Sequence, residues 1–273
     1  MRRAAVFLAL YLASSGVADA AQRIVSLAPS VTETLFAVGA GGDLVGVTSF
    51  CDWPPEARKI DRVGSYLKPD VEAVIRRRPD LVIVVPSPGN HDGVLLLENL
   101  GLRIVTVSEG PKLDDVLTSI RSIAAAVGRR EAGERIAAGT ARSIAAWKER
   151  LEPLPRRRVL FIVDRRPLVA VGDGNLVDEL LRIAGGENAA AGLGEWPRLS
   201  VEYLVRIDPE IIVEATMGGG EAPDRSFYDG LGLRAVGAGR LHAVNLDEVV
   251  RPGPRLAEGV EKLARIVHPE AFE

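Results

Sequence analysis

Aromatic side chains stand in three segments of the sequence that also contain glycine or proline. Phe50 belongs to "SFCDWPPEA", Tyr66 to "VGSYLKPD" and Trp196 to "GLGEWPRLS". Only 5% of all residues are aromatic, so three such loops are notable. Flat rings on loops can cover a large planar ligand at a low cost in conformational entropy. We therefore predict that these three residues bind a ligand, with packing inside each loop as the alternative.

Two further segments carry groups that can hydrogen-bond or coordinate a ligand. In "DEVVRPGPR", Asp247 and Arg251 follow the last predicted strand, and a guanidinium is well suited to bind planar polar groups. We predict that both residues bind polar side groups of the ligand, with a solvated surface loop as the alternative. His91 in "PSPGNHDG", or else Tyr66, is a candidate axial ligand to a metal that the ligand itself carries.

The patterns of common active sites are absent from the sequence. "VGDGN" is rich in glycine, but it lacks the lysine of a phosphate-binding loop and the third glycine of a dinucleotide fingerprint. No G-x-S-x-G occurs, and the single cysteine, Cys51, has no neighbouring histidine to act as a base. The histidines do not have the spacing of a zinc site. We therefore predict a non-enzymatic protein without an intrinsic cofactor, in which Cys51 is a small buried residue.

One stretch of the sequence occurs twice, as "VEAVIRRRPDLVIVV" at 71–85 and as "VEYLVRIDPEIIVEA" at 201–215. Each copy opens with Val-Glu and has apolar residues at helical spacing, followed by proline, an acid and a run of β-formers. Glu72 and Glu202 therefore occupy equivalent places in the first turn of a predicted helix, where the helix dipole favours a carboxylate. The repeat indicates that the architecture itself is duplicated.

The order of the predicted elements divides the chain into two similar halves. Strands alternate with helices over residues 21–128 and again over 155–273, which predicts two α/β lobes with mainly parallel sheets. Residues 129–154 between them have a long helical pattern rich in Ala, Arg and Glu. We predict two Rossmann-like lobes joined by one long helix. Parallel sheets bind ligands beyond the carboxyl ends of their strands, so the ligand cleft should lie between the lobes.

Local signals mark the starts of three helices. Asp70 and Ser200 each precede one copy of the repeat and are predicted N-caps. Ser30 precedes an apolar stripe, and Glu33 follows it by three residues, which predicts a capping box at the first helix.

The N-terminal segment differs in character from the rest of the chain. "MRRAAVFLALYLASSGVADA" (1–20) combines arginines, a short apolar run and Ala-Asp-Ala, which is typical of a secretory signal cleaved before Ala21. The apolar run is too short to span a bilayer, and no cysteine stands at the cut site to carry a lipid. A formal charge of −3 offers no polybasic surface for nucleic acid. We predict a periplasmic, monomeric protein without a lipid anchor.

Several segments, taken in order, resemble one protein family. They are the signal segment, "RIVSLAPSVTETLFAVGAGGDLVGVTSFCDWPPEARKIDRVGSY", the first copy of the repeat, the linking helix, "LVDELLRIAGGEN" and "RPGPRL". The chain resembles the helical-backbone (class III) periplasmic substrate-binding proteins of ABC importers, whose members carry vitamin B12, haem or ferric siderophores. The likeness is greatest to the cobalamin-binding members, in "VTSFCDWPPEARKIDRVGSY" and "EWPRLSVEYL".

The resemblance implies roles for the residues singled out above. Glu72 and Glu202 match the two acids that dock on arginines of the membrane permease, and Phe50, Tyr66 and Trp196 match residues of the cobalamin pocket. The sequence departs from cobalamin binders in "FIVDRRPLVAVG" and "PSPGNHDG", which lack an aromatic residue often found there.

We therefore predict a solute-binding protein that delivers a corrinoid to an ABC permease and its ATPase. A protein of the same importer group that binds haem or a ferric siderophore is the second hypothesis. A periplasmic adaptor that binds a protein and no small molecule is a third hypothesis, from a different functional class.

Overall fold

The computed structural model describes residues 21–216, 223 and 225–273. The predicted signal segment, 1–20, lies outside the described residues. The strands are β1 (Ile24–Ser26), β2 (Leu44–Val47), β3 (Leu81–Val84), β4 (Ile104–Thr106), β5 (Arg157–Arg165), β6 (Leu168–Ala170), β7 (Gly186–Asn188), β8 (Ile211–Thr216) and β9 (Leu241–Asn245). The α-helices are α1 (Pro29–Ala37), α2 (Val71–Arg76), α3 (His91–Asn99), α4 (Leu113–Ala126), α5 (Arg130–Leu151), α6 (Leu176–Ile183), α7 (Val201–Ile207), α8 (Arg234–Gly237), α9 (Leu246–Val250) and α10 (Leu256–Val267).

The N-terminal lobe is built on a parallel sheet with the strand order β2-β1-β3-β4. β1 and β3 are buried along their whole length, which fits parallel strands covered on both faces. Ile24 and Leu81 pack with α1 and α4 on one face, whereas Val25 and Val82 pack with α2 and α3 on the other. The alternation of side chains along each strand therefore creates the two apolar layers of this lobe.

The C-terminal lobe has the strand order β6-β5-β8-β9, and β7 also pairs with β5. β5, β7, β8 and β9 are parallel, while β6 runs antiparallel to β5. The predicted fold, two mainly parallel α/β lobes, is confirmed. β6 and β7 were not predicted, because three residues are too few to show a periodic pattern.

Helix α5 connects the lobes. Its 22 residues span about 33 Å at the usual rise per residue. Ala137 and Ile144 are buried in the core of the C-terminal lobe, together with Ile120 of α4 and Leu263 of α10. Ile136 packs against the cores of both lobes. The connection is therefore a packed helix that is braced by both halves.

The two copies of the repeat begin as predicted. The Asp70 carboxylate accepts a hydrogen bond from the Ala73 N–H at 2.9 Å, and the Ser200 hydroxyl accepts one from the Tyr203 N–H at 3.1 Å. Both side chains therefore satisfy an N–H at the start of their helix that has no partner within the helix.

The predicted capping box at α1 is wrong. The helix begins at Pro29, and the residue before it, Ala28, has no side chain that could cap. Proline is favourable at the first helical position because its φ is already helical and it has no N–H to satisfy. Ser30 therefore lies inside the helix, and the Glu33 carboxylate has other partners, described below.

Cys51 is fully buried, as predicted. The Thr32 hydroxyl donates to its sulfur at 3.1 Å, and Thr48 lies at the same distance. Burial raises the pKa of the Cys51 thiol. A protonated, inaccessible thiol is a poor nucleophile, which agrees with a structural role.

Candidate ligand-binding site

An open pocket of about 460 Å³ lies where the two lobes face each other. Its N-terminal wall is formed by α1 and by segments that follow β2 and β4, and its C-terminal wall by α9 and the residues after it. This is the position beyond the carboxyl ends of the strands at which parallel α/β sheets bind ligands. The lining residues are Ala28, Pro29, Ser30, Phe50, Tyr66, Leu67, Glu109, Leu246, Asp247, Val250, Arg251 and Pro252.

Phe50 and Tyr66 bring two aromatic rings to the N-terminal wall. Phe50 and Leu67 are each 55% exposed, so both offer apolar surface for a ligand to cover. Tyr66 is half-buried, and its pKa is raised by burial and by the negative charge of Glu109. The Tyr66 phenol therefore remains protonated and is available as a hydrogen-bond donor.

Trp196 and His91 do not line this pocket. Trp196 is half exposed in the loop before α7, and His91 is the exposed first residue of α3. The buried Asn90 next to it donates from its amide to the carbonyl oxygens of Tyr66 at 3.2 Å and Val85 at 2.9 Å. The "GNHDG" loop therefore positions Tyr66 through Asn90. Ligand contact by Trp196 or His91 stays a prediction.

Arg251 extends from the C-terminal lobe to the N-terminal lobe. One guanidinium nitrogen lies 2.9 Å from Glu33 and 3.1 Å from Asp52, and the other lies 2.9 Å from Asp247. The Arg251 side chain is only 7% exposed and that of Glu33 only 2%. Burial lowers the pKa of Arg251, but the hydrogen bond and charge of Glu33 and the charge of Asp247 outweigh it and leave the pKa raised. The pocket wall thus contains an arginine that carboxylates already neutralise.

Arg255 completes this inter-lobe ion cluster, which consists of Glu33, Asp52, Asp247, Arg251 and Arg255. Its guanidinium makes two hydrogen bonds to the Glu33 carboxylate, at 2.9 and 2.7 Å, and lies 4.5 Å from the centre of the Trp53 ring. Glu33 is the carboxylate that both arginines share, so removing it would take away the hydrogen-bonded partner of the partly buried Arg255, which is destabilising. The cluster therefore ties the lobes together at the edge of the pocket.

The sequence alone did not identify Glu33 as part of the site, because its partners lie 218 and 222 residues away. Its place on the apolar stripe of "SVTETLFAVG" was a usable signal, since a buried acid needs a cation. The alternative of a solvated surface loop around Arg251 is wrong, because the segment is the short helix α9 followed by a buried, ion-paired arginine.

Glu109 is a second lining residue that the sequence analysis missed. It follows β4 in the N-terminal wall, and the Ser30 hydroxyl donates a hydrogen bond to its Oε1. Burial raises the pKa of the Glu109 carboxyl, although the Ser30 hydrogen bond and the charge of Arg251 both act to lower it. An acid directly after the predicted strand "LRIVTVS" was the available signal.

Glu72 and Glu202 both lie in the first turn of their helices and are exposed. The Glu72 side chain is 88% exposed and lies 3.7 Å from Arg76. The pKa of Glu202 is lowered by hydrogen bonds from its own backbone N–H and from Ser200. Both carboxylates are therefore accessible to a cationic partner.

Two negative observations apply to the residues that the structure describes. Over that part of the chain, no helix is both long and apolar enough to cross a membrane. Over the same residues, no three His, Cys, Asp or Glu side chains cluster as they would around a metal ion.

Comparison with known proteins relates this architecture to one family. The family described as "Periplasmic binding protein" matches residues 24–230. An uncharacterized ABC transporter substrate-binding lipoprotein of Bacillus subtilis, YvrC, is 31% identical and aligns over 92% of this chain and 82% of its own length. A vitamin B12-binding protein of Vibrio cholerae is 27% identical over 89% of this chain and 88% of its own.

A solved structure is similar over nearly the same range. The periplasmic haem-binding protein RhuT of Roseiflexus sp. RS-1, in its apo form, has a TM-score of 0.80 and 26% identity. The match covers 92% of this chain and 99% of RhuT. The two-lobe architecture is therefore shared by proteins whose described ligands differ.

Proposed function

This chain belongs to the periplasmic binding protein family, as a solute-binding component of ABC importers, and from this premise we propose that it carries a corrinoid to a membrane permease. The corrinoid binds in the pocket between the lobes, against Phe50 and Tyr66. The vitamin B12-binding relative, similar over most of both chains, supports this choice of ligand.

The observation that carries the proposal is the charge of the pocket. Among the lining residues that the structure describes, Arg251 is the single lysine or arginine, and Glu33, Asp52 and Asp247 already bind it. A corrin ring bears neutral amide side groups, which need hydrogen-bond partners but no counter-charge. Haem bears two propionates, which need cations that are free to bind them. The lining therefore favours the corrinoid.

Haem binding is the second candidate, and Tyr66 is the residue that favours it. A tyrosine phenolate can ligate ferric haem iron, and Tyr66 lies in the pocket wall. The raised pKa of Tyr66, caused by burial and then by Glu109, makes the phenolate costly to form. The similarity to the haem-binding RhuT nevertheless makes hemin the necessary comparison ligand.

Delivery to the permease is assigned to Glu72 and Glu202. Each carboxylate lies exposed at the start of a helix, one on each lobe. Arginines of a permease would form charge-assisted hydrogen bonds with both, and the two contacts together would fix the orientation of the lobes.

Export through a cleaved signal segment is also part of the proposal. The relative YvrC is described as a lipoprotein, whereas the residue directly after Ala-Asp-Ala in this sequence is Ala21 and not a cysteine. Mass spectrometry of the mature protein should find Ala21 as the first residue, without a lipid. A lipid-modified N-terminus would contradict this assignment.

The ligand is tested by gel filtration after incubation with cyanocobalamin or with hemin. We expect the corrinoid absorbance to co-elute with the protein and hemin to separate from it. Substitution Phe50→Ala should weaken cyanocobalamin binding about tenfold through loss of ring contact. Trp196→Ala tests the third predicted aromatic residue, whose ring lies outside the pocket lining. Weaker cyanocobalamin binding by this variant would support ligand contact by Trp196, and unchanged binding would contradict it.

Three other outcomes would replace the proposal. Co-elution of hemin alone would assign the protein to haem transport. If the protein binds neither cyanocobalamin nor hemin but retains a ferric siderophore, it would be assigned to siderophore transport. Retention of no small molecule would favour a protein-binding adaptor.

A further inference from the structure

We propose that Glu109 determines which ligands this pocket accepts. Its carboxylate accepts a hydrogen bond from an N–H of a neutral ligand side group, and it repels ligands that carry carboxylates of their own. The inference rests on the proposed function and deepens it, because it names the residue that distinguishes an amide from an acid.

The position of Glu109 makes this role possible. The side chain lines the N-terminal wall of the pocket, and Ser30, in the first turn of α1, binds its Oε1. Over the part of the chain that the structure describes, Oε2 has no hydrogen-bond partner. One oxygen is thus held in place by the protein, and the other is available to a ligand.

The surrounding charges keep Glu109 distinct from the inter-lobe ion cluster. Arg251 lowers the pKa of Glu109 through its charge, but its hydrogen bonds go to Glu33 and Asp52 and its second nitrogen pairs with Asp247. Asp247 faces the pocket from the opposite wall. A ligand carboxylate between the walls would therefore meet two like charges, whereas an amide N–H would meet two acceptors.

Desolvation makes the selection stronger. A ligand that covers Glu109 removes water from a carboxylate that burial already disfavours. A ligand N–H that donates a hydrogen bond to this oxygen offsets the cost of desolvation, whereas a ligand carboxylate or apolar group at this point does not. The pocket should therefore discriminate against ligands that place either a carboxylate or an apolar group at this point.

The test compares cyanocobalamin with monocarboxylates made from it by hydrolysing one side-chain amide. Calorimetric titration of the wild-type protein should show at least about a tenfold preference for the neutral corrinoid over the monocarboxylate whose acid reaches Glu109. Glu109→Gln keeps the shape of the side chain and removes its charge. The variant should lose most of this preference and bind cyanocobalamin about tenfold more weakly.

Glu98→Gln is the matched control, because Glu98 is an exposed acid on α3 of the same lobe and does not line the pocket. It should leave both affinities unchanged. Thermal unfolding of each variant establishes that it folds. If Glu109→Gln does not fold, the wild-type preference is measured at low and high salt, where screening of the charge in this open pocket should reduce it.

Two results would overturn the inference. A preference that is the same in the wild type and in Glu109→Gln, or that does not respond to salt, would exclude Glu109 while leaving the corrinoid proposal intact. A wild-type protein that binds no cyanocobalamin would overturn the proposed function, and the assignment of Glu109 with it.

Discussion

In residues 71–85 a short helix leads through a turn at a proline into β3, and in residues 201–215 the same path leads into β8. In both copies the residue before the proline has a positive φ, 46° at Arg78 and 36° at Asp208. This conformation is uncommon for residues with a side chain and is disfavoured by the following proline ring. The same backbone conformation therefore recurs in both turns, although the residue that adopts it is an arginine in one copy and an aspartate in the other.

The two turns are held by different arginines. In the first copy, Arg23 donates to the carbonyl oxygens of Arg77 at 2.5 Å and Arg78 at 3.0 Å. In the second copy, the Asp208 carboxylate accepts from the N–H of Arg234 at 2.9 Å and from its Nε at 2.6 Å, and the Asp208 carbonyl accepts from its Nη2 at 2.7 Å. An arginine outside the repeat stabilises each turn. Arg23 precedes the first copy in the sequence, whereas Arg234 follows the second copy.

The strands of the two copies differ more. β3 is entirely apolar, whereas β8 has Glu214 at the position that Val84 occupies in β3. Glu214 is buried, accepts a hydrogen bond from the Tyr228 hydroxyl at 2.5 Å and lies 3.6 Å from Arg165. Burial and the adjacent Glu214 together raise the pKa of Tyr228. The comparison shows that the same helix–turn–strand backbone accepts an apolar residue at the end of β3 and a buried, hydrogen-bonded acid at the equivalent position of β8.

The largest effect should come from removing what the copies share most clearly, the two exposed acids. Glu72→Gln and Glu202→Gln should each slow import about tenfold, and the double variant about a hundredfold, because each removes one charge-assisted contact with the permease. Uptake of labelled cyanocobalamin into proteoliposomes that carry the permease and ATPase measures this. Glu98→Gln is the control for loss of an exposed charge, and unchanged uptake by the double variant would contradict the docking proposal.

Converting β8 to the pattern of β3 should have the next largest effect. Glu214→Val leaves the buried Tyr228 hydroxyl without its acceptor and should lower the free energy of unfolding by about 2 kcal/mol. The double variant with Tyr228→Phe should recover part of the loss, because both polar partners are then absent. Urea unfolding measures both variants. If the loss of unfolding free energy in the double variant equals or exceeds the sum of the losses in the two single variants, the Glu214–Tyr228 pair is not the relevant contact.

Removing the arginine that holds the second turn should have a moderate effect. Arg234→Ala should lower the free energy of unfolding by about 1 kcal/mol, because the contacts to Asp208 are partly exposed and screened by water. Arg23→Ala is the corresponding change for the first turn and should cost a similar amount. Thermal unfolding curves measure both variants. If only one variant is destabilised, the two arginines do not contribute equally to stability, and the prediction is wrong.

The smallest effect concerns the ionisation of Glu202. Its lowered pKa, caused by its own N–H and by Ser200, means that the carboxylate keeps its charge at a lower pH than an ordinary exposed glutamate. Titration by NMR of the side-chain carboxyl carbon should find its midpoint below the usual range. Ser200→Ala should move the midpoint upward, and an unchanged midpoint would show that the cap does not act on this acid.

Local signals in the sequence were sufficient to predict the elements that repeat. Asp70 and Ser200 cap their helices because an oxygen near unpaired N–H groups is a short-range effect that a few adjacent residues encode. The alternation of buried strands with helices fixed the two-lobe class in the same way. The short strand β6 was missed because its three residues are too few to show a periodic pattern, although its partner β5 lies directly before it in the chain.

The site was predictable only in part. Phe50, Tyr66, Asp247 and Arg251 lie in loops or short helices beyond strand ends, and the structure brings all four to one pocket. The pairing of Arg251 with Glu33 could not be inferred, because Glu33 belongs to the other lobe and is 218 residues away. Which buried charges meet is decided by tertiary packing, and no local pattern encodes it.

Helix α5, packed against the cores of both lobes, has a consequence for competition at the transporter. A braced connection of this kind limits how far the lobes can separate, so Glu72 and Glu202 should keep nearly the same spacing whether the protein is empty or loaded. A permease that senses only these two acids would then bind vacant and occupied molecules about equally well. Vacant copies would act as inhibitors of their own import system whenever the protein is in excess over its cargo.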